Sequence, residues 1–387
     1  MTVSTHTSPS APLRVGVVGA GQLARMMGEA SREAGVRITV LASSSEDAAV
    51  ATCNDVILGD AHDQAALDRL SQEVDVVTFD HELVDLDHVA ALESRGVTVR
   101  PSAAALRFAV DKAYQREELA AAGLPVPRFL VVSSSRDPRI TPFLDELAGL
   151  PVVKAARGGY DGRGVLFPSD RDETLVMIAE TCVHGDVVIE ERLDLQSEVA
   201  QLVVRGVDGA LALYPLVTTV QSDGMCVEVR YPADVSSDVL VQARELGTRL
   251  ATLIDVVGVL AVELFVTDKG LVINEVALRP HNSGHWTIEG ARTSQFVNHL
   301  RAVSGQPLGD VATTTPHAVM VNVVGSEQPS SLAAALDVPG IFVHDYGKSW
   351  RLGRKLGHVT VVSDDAPSAH VTAWKGARAY GTRTKES

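Results

Sequence analysis

Val152-Val153-Lys154-Ala155-Ala156-Arg157-Gly158-Gly159-Tyr160-Asp161-Gly162-Arg163-Gly164-Val165 is the stretch around which the rest of the chain is read. Two apolar runs flank a segment with four glycines, two arginines and an aspartate, and the first run carries Lys154. This pattern predicts two strands joined by a flexible loop. Without Cβ atoms, Gly158, Gly159, Gly162 and Gly164 let the backbone reach positive φ and lie close to a ligand. Backbone amides in such a loop form an anion-binding concavity. Lys154, Arg157 and Arg163 add positive charge, so a polyphosphate fits; the plain alternative is an ordinary glycine-rich hairpin turn. The loop is not a Walker loop, because Gly-Lys-Ser/Thr is missing and the cation comes from the strand before the glycines.

With 387 residues the chain is long enough for two or three domains with their own cores. Apolar residues make up 45%, an ordinary share for a soluble globular protein, and the net charge is −15. An acidic chain is poorly suited to nucleic acid or anionic membrane, so neither partner is expected, and an anionic substrate needs a local basic cluster. Cys53, Cys182 and Cys226 form neither a metal spacing nor a disulfide framework. They read as small buried apolar residues in a reducing cytoplasm. No apolar run approaches the roughly 20 residues of a membrane span. Residues 1–12, rich in Ser, Thr and Pro with no basic start or apolar core, read as a disordered tail rather than a signal peptide.

Leu13 to Val18 is an apolar run that leads into Gly19-Ala20-Gly21-Gln22-Leu23-Ala24 and a helical pattern through Ala34. A strand, a glycine turn and a helix put a helix N-terminus where a phosphate could sit. The turn approximates a dinucleotide fingerprint, but the tip of the second strand, Val36 to Leu41, is followed by Ala42-Ser43-Ser44-Ser45 and not by an acidic residue. A phosphate of a smaller ligand therefore fits better than NAD. Val56 to Leu58, Val74 to Phe79 and Val97 to Val99 read as further buried strands, alternating with helices at 61–72 and 86–94. That alternation predicts a parallel sheet. Glu82 follows the carboxyl end of one strand, where open sheets bind ligands; a loop carboxylate or helix cap is the alternative.

After Pro101-Ser102 a single helix is expected, containing Arg107, Asp111 and Lys112. Phe129 to Val132 is a strand. Val187 to Leu193 is another, ending in Glu190, Glu191 and Arg192; a strand running into an extended linker suits an adenine edge, with a carboxylate beyond it for ribose hydroxyls. Glu198 to Val204, Ala210 to Leu216 and Cys226 to Val229 read as an antiparallel meander, and Asp234 to Leu253 as an amphipathic helix. Val257 to Val266 and Gly270 to Val276 form a hairpin that carries Glu263 and Glu275 among apolar neighbours, with Asn274 alongside. Carboxylates in such surroundings are paired or bound to a metal, and this set suits Mg²⁺ that also keeps phosphate ligands. Two outward-facing solvated glutamates are the alternative.

Arg279-Pro280-His281-Asn282-Ser283-Gly284-His285 follows, dense in hydrogen-bonding groups. His281 and His285 have an i, i+4 spacing, but Pro280 and Gly284 disfavour the helix a metal pair would need, so a phosphate or sugar contact is expected instead. The last 80 or so residues read as a smaller unit with short strands at 318–323, 341–343 and 357–362. Lys348, Arg351, Arg354 and Lys355 concentrate four cations there, either an anion trap or a solvated basic turn.

Five segments together resemble one family: Gly19 to Met26, Lys154 with the Gly159–Gly164 loop, Asn274-Glu275, Arg279 to His285, and Gly353 to His358. The chain is similar over residues 13–375 to 5-(carboxyamino)imidazole ribonucleotide synthases, ATP-grasp enzymes of purine biosynthesis. Tyr-Asp-Gly-Arg-Gly and Pro-His-Asn-Ser-Gly-His are its specific marks. The fold implied is α/β (α+β): a parallel-sheet pre-ATP-grasp domain over 13–101, an ATP-grasp domain over 102–303, and a small β-rich C-terminal domain over 304–387. The activity implied is ATP-dependent carboxylation of 5-aminoimidazole ribonucleotide with bicarbonate, through carboxyphosphate, in a cytoplasmic homodimer. Mg²⁺, with Mn²⁺ as an alternative, would sit on Glu263 and Glu275. Arg107, Lys154, Gly159 to Val165, Glu190 to Leu193, Glu198, Gln221, Asn274 and Glu275 would hold the nucleotide. Tyr160, Asp161, Arg163, Arg279 and His281 would form the catalytic set. Gly21, Gln22, Leu23, Glu82, Asn282, Ser283, Lys348, Arg351, Arg354 and Lys355 would bind the ribonucleotide.

The chain departs from the family pattern in three places. Asp80-His81-Glu82 stands where Glu-Phe-Glu is common, Arg351-Leu352-Gly353-Arg354 where Arg-Pro-Gly-Arg is usual, and Gln221 where some members have a nucleotide-contacting His. Other ATP-grasp ligases, such as formate-dependent glycinamide ribonucleotide transformylase or biotin carboxylase, are the nearest rivals; the C-terminal basic segment and Tyr-Asp-Gly-Arg-Gly argue against both. A dehydrogenase leaves the lid unexplained. A non-catalytic nucleotide-binding regulator leaves the intact Lys154, Glu263 and Glu275 unexplained.

Overall fold

The structure, a computed structural model, describes residues 12–159, 164–222, 224–327 and 331–382. The chain opens with a four-stranded parallel sheet in the order Asp55–Leu58, Val36–Ala42, Leu13–Val18, Val76–Phe79. Helix Gln22–Ala34 buries Leu23, Met26 and Met27 against it and ends at Gly35, whose φ of 67° closes the last turn. The strand at 56–58 was expected to be buried, but as the sheet edge it leaves Leu58 56% exposed. Val97 to Val99 was expected to be a strand. It makes only an isolated bridge from Val99 to Val77, and Pro101, which lacks an N–H, follows almost at once.

The expected single helix after Ser102 is two, Ala103–Val110 and Lys112–Ala121, because Asp111 is extended and its carboxylate accepts from the Tyr114 N–H. A small antiparallel sheet follows, ordered Phe129–Val132, Val187–Glu191, Pro151–Ala155, Val165–Leu166. One of its faces buries Val153, Val187 and Ile189 with Ile140, Leu144 and Ile178, and the other carries Lys154. Lys154 pairs in register with Val165, so the strands flanking the glycine stretch are antiparallel neighbours; Tyr160, Asp161, Gly162 and Arg163 lie outside the described residues.

The large sheet is antiparallel at every strand pair among the described residues. It runs Gly270–Ala277, Gly258–Thr267, Ser197–Arg205, Val217–Ser222, Met225–Tyr231, His317–Val324, Lys355–Ser363, Phe342–Asp345, with Leu211–Leu213 against Ser197–Arg205. The meander therefore has a strand that the sequence pattern concealed. Val217–Ser222 sits between Ser197–Arg205 and Met225–Tyr231, and the run expected over 210–216 pairs only at 211–213. Helix Ser237–Ile254 packs Leu246, Leu250 and Ile254 on one face of this sheet. A fully buried Val or Leu contributes about 1.5–3 kcal/mol, so this face is a main source of stability. The C-terminal strands continue the same sheet, His317–Val324 pairing with Met225–Tyr231. The N-terminal unit docks through helix Gln295–Val303, whose Phe296, Val297 and Leu300 share a core with Val15, Met27 and Tyr346. His299 adds a ring-nitrogen hydrogen bond to Thr78 at 2.9 Å.

Candidate active site

Glu263 and Glu275 are partners in register across the hairpin of Gly258–Thr267 and Gly270–Ala277. The register skips Asn274, because the next pair is Leu264 with Ile273, so Asn274 is the extra residue of a β-bulge. A bulge re-aims side chains, and here two consecutive residues serve one patch. The Asn274 amide donates to Glu263 Oε2 at 3.4 Å and accepts from Lys154 Nζ at 3.4 Å. One amide thus links Glu263 of the large sheet to the cation of the small one.

Behind this patch lies a buried charge cluster. Lys154, 7% exposed, pairs with Glu190 Oε2 at 2.7 Å, and Arg116 Nε reaches Glu190 Oε1 at 2.6 Å. Lys112 Nζ meets Glu275 Oε1 at 2.9 Å, and His281 Nε2 lies 3.4 Å from Glu263 Oε1. Burial works to raise the Glu190 carboxyl, but Arg116 and Lys154 outweigh it and hold it well below the usual carboxylate range. Burial lowers the Lys154 ammonium below its ordinary value, against the pull of Glu190. Partial burial works to raise the Glu275 carboxyl, whose side chain is 41% exposed, but Lys112 outweighs it and holds it below its ordinary value. Burial and then the facing Glu275 and Glu198 push Glu263 up to about 7.

Two carboxylates facing each other, one of them protonated near neutrality, make a donor set that a hard cation would complete. Among the described residues no group of three or more His, Cys, Asp or Glu could hold a metal ion, so other oxygen ligands, as from phosphates, would have to fill the shell. His285 is no donor to it: it is buried, takes a hydrogen bond at Nδ1 with the Gln295 amide at 3.0 Å, and burial pushes it far below its ordinary value.

The expected nucleotide residues distribute around this cluster. Gly158 and Gly164 adopt positive φ, and Ala155 N–H donates to Gly164 O, which closes the base of the loop next to Gly159 and Val165. Glu190 does not offer its carboxylate to a ribose, because Arg116 and Lys154 occupy it and it is 2% exposed. Glu191 and Leu193 are half-buried and Arg192 is exposed, its guanidinium 5.5 Å from the Phe167 ring. Glu198 bonds the Gln221 side chain, and burial raises its carboxyl. Arg107 is exposed and stacks 3.9 Å over Tyr114.

On the other flank the Gly19-Ala20-Gly21 turn meets Asp80. Gly21 N–H donates to Asp80 Oδ2 at 2.6 Å, and a Cβ on Gly19 would lie 1.9 Å from Asp80 Oδ1. This corrects the expectation that the helix N-terminus is open for a phosphate: a carboxylate already sits there. Burial raises the Asp80 carboxyl despite His81 and the Gly21 amide. Leu23 is in the core and offers no side chain, whereas Gln22 Oε1 accepts from Lys348 Nζ. Arg279 pairs with Glu82 Oε2. The remaining oxygens, Asp80 Oδ1 and Glu82 Oε1, are buried without a hydrogen-bond partner.

Ser283 is 3% exposed, and its hydroxyl is 2.9 Å from His281 Nδ1, so it orients that ring rather than facing a ligand; Asn282 is half-buried. Lys355 lies close enough to Glu263 to lower its carboxyl, while Arg354 bonds Ser349 within its own loop and Arg351 is exposed. Sequence reasoning missed Lys112 and Arg116. Their signal was two cations four residues apart on one helix, which repel unless anions face them.

An ATP-grasp enzyme is the class that these lobes and this cluster define: residues 117–296 match the ATP-grasp domain family, 13–110 the ribonucleotide synthetase preATP-grasp domain, and 318–372 the phosphoribosylaminoimidazole carboxylase C-terminal domain. The N5-carboxyaminoimidazole ribonucleotide synthase of Mycobacterium bovis is 45% identical over 370 residues, 93% of this chain and 85% of that protein. The Thermus thermophilus synthetase structure superposes with a TM-score of 0.87 at 32% identity, covering 96% of this chain and 100% of that one. The Aspergillus clavatus synthase, solved in complex with ADP and 5-aminoimidazole ribonucleotide, gives 0.86 at 28% identity, covering 96% and 99%. The chain belongs to the N5-carboxyaminoimidazole ribonucleotide synthase family.

Proposed function

We propose that this chain carboxylates the exocyclic amine of 5-aminoimidazole ribonucleotide, using ATP and bicarbonate and releasing ADP and phosphate. The observation that carries this reading is the junction of Lys154, Asn274, Glu263 and Glu275 at one place between two sheets. A bicarbonate oxygen attacks the γ-phosphorus of ATP as the bond to ADP breaks, giving carboxyphosphate. The amine nitrogen then bonds to the carboxyl carbon, the carbon–oxygen bond to phosphate breaks, and the amine gives up a proton.

Such phosphoryl transfer needs positioning and charge neutralisation more than a protein nucleophile. Lys154, Arg107 and the amides around Gly158 and Gly159 would hold the phosphates. Glu263 and Glu275 would hold Mg²⁺ or Mn²⁺, which when bound neutralises charge on the phosphate oxygens. Glu191, Arg192, Leu193, Glu198 and Gln221 would flank the adenosine. Tyr160, Asp161 and Arg163, with Arg279 and His281, keep the acceptor and bicarbonate side. Gln22, Glu82, Asn282, Lys348, Arg351, Arg354 and Lys355 would bind the ribonucleotide.

We also assign the boundaries 13–101, 102–303 and 304–387 to three domains, and a cytoplasmic homodimer to the assembly. These rest on the resemblance, and free Cys53, Cys182 and Cys226 agree with a reducing compartment. The test is ADP release with bicarbonate while the amine acceptor is varied. Stimulation by 5-aminoimidazole ribonucleotide supports the assignment; equal turnover without it refutes the substrate.

A further inference from the structure

Arg116 is 2% exposed, although an arginine is almost never fully buried unless it is paired. Each end of its guanidinium is used. Nε donates to Glu190 Oε1 at 2.6 Å, Nη2 to the Asn274 backbone carbonyl at 2.6 Å, and Nη1 to Gln115 Oε1 at 2.8 Å. Glu190 spends its other oxygen on Lys154 at 2.7 Å. Gln115, 1% exposed, passes its amide to Phe108 O on the neighbouring helix, which also carries Arg107. These bonds join four pieces of chain: helices Ala103–Val110 and Lys112–Ala121, the small-sheet strand Val187–Glu191, and the large-sheet strand Gly270–Ala277.

We propose that Arg116 is a positioning residue for the nucleotide site, a clamp that sets Lys154 of one sheet against the Asn274-Glu275 bulge of the other before ATP arrives. The proposal rests on the nucleotide reading given above. The geometry asks for a fork: three donors in one plane reach a carboxylate, an amide oxygen and a carbonyl on different elements, which a single ammonium could not span. The bulge makes the carbonyl of Asn274 the point of attachment. Moving that carbonyl would move the amide that touches both Lys154 and Glu263. Arg116 itself lies behind Glu190 and not toward the ligand, so its effect on nucleotide passes through Lys154 and Asn274.

The test compares wild type, Arg116→Lys and Arg116→Met. Mg²⁺–ADP affinity is read by calorimetry, and KM for ATP, KM for the acceptor and kcat by coupled ADP release. The expected result is ADP affinity and KM for ATP worsened tenfold or more in Arg116→Met, an acceptor KM within twofold of wild type, and a partial return in Arg116→Lys, whose charge holds Glu190 but not the carbonyl. If Arg116→Met does not fold, Arg116→Lys alone decides: it must lose several-fold in ADP affinity with acceptor KM unchanged. Unchanged ADP affinity with a lowered melting temperature, or equal losses for ATP and acceptor, would make Arg116 merely structural and overturn the proposal. The ADP measurement needs no carboxylation. A wild type that binds ADP without turning over the acceptor therefore refutes only the substrate assignment, and one that binds no ADP refutes both readings.

Discussion

Glu263 and Glu275 stand directly opposite each other on two antiparallel strands, and the bulge at Asn274 places an amide between them and Lys154. Like charges so placed oppose folding unless a proton or a cation intervenes. The burden falls on Glu263, because Lys112 already neutralises Glu275.

Glu275→Gln should therefore cut turnover by about a hundredfold or more, since it removes charge from the proposed metal pair and leaves Lys112 without its anion. Steady-state ADP release measures this. Near-normal turnover would take Glu275 out of the metal site.

Glu263 gives a pH dependence with a definite sign. Its carboxyl titrates near 7 in the fold and near 4.5 when unfolded. Between those values the folded state holds the extra proton, so the contribution of this one group to stability is greatest below about pH 4.5, falls as pH rises, and levels off above about pH 7. In EDTA, the melting temperature of Glu263→Gln should exceed that of wild type at pH 8 and match it near pH 4, while with Mg²⁺ present the ADP release of the variant collapses. A variant less stable than wild type at pH 8 would contradict this electrostatic account.

Lys348 belongs to the C-terminal loop, yet its ammonium reaches Gln22 of the first helix. Lys348→Ala should raise the acceptor KM about tenfold and leave the KM for ATP unchanged, because a phosphate contact of this kind is charge-assisted. Arg354→Lys should also weaken the acceptor, since a bidentate fork becomes a point charge. Acceptor saturation curves that overlay wild type would remove these residues from the phosphate site.

Gly19 has φ of 94°, and a side chain there would run into Asp80. Gly19→Ala should cost about 1–3 kcal/mol in urea unfolding from backbone strain alone, before the clash is counted. An unchanged midpoint would mean that Asp80 can swing away from the turn.

Much of the architecture could be read in the residues. The opening strand, turn and helix followed from apolar periodicity and glycine placement, and the Glu263–Glu275 hairpin from two apolar runs around a short turn. The concealed strand Val217–Ser222 did not, because Val-Thr-Thr-Val-Gln-Ser lacks the apolar–polar alternation that marks a half-buried strand. The break at Asp111 was masked by good helix formers on both sides. Lys112 and Arg116 had no partner visible along the chain, since only the approach of distant strands supplies Glu275 and Glu190.

Local chemistry by itself picked out the groups proposed here for the nucleotide and acceptor sites: a cationic strand before a glycine loop, two acidic positions in an apolar hairpin, and a basic C-terminal segment. Propensity and periodicity act over a few residues, so that much is written along the chain. Tertiary structure alone decided that Asp80 fills the glycine turn, that Glu190 serves Lys154 rather than a ribose, and that a bulge turns Asn274 into a bridge. The first two depend on register between strands apart in sequence, and the bridge depends on bringing Lys154 of the other sheet to the hairpin bulge; all three are fixed by packing whole sheets and not by any one segment.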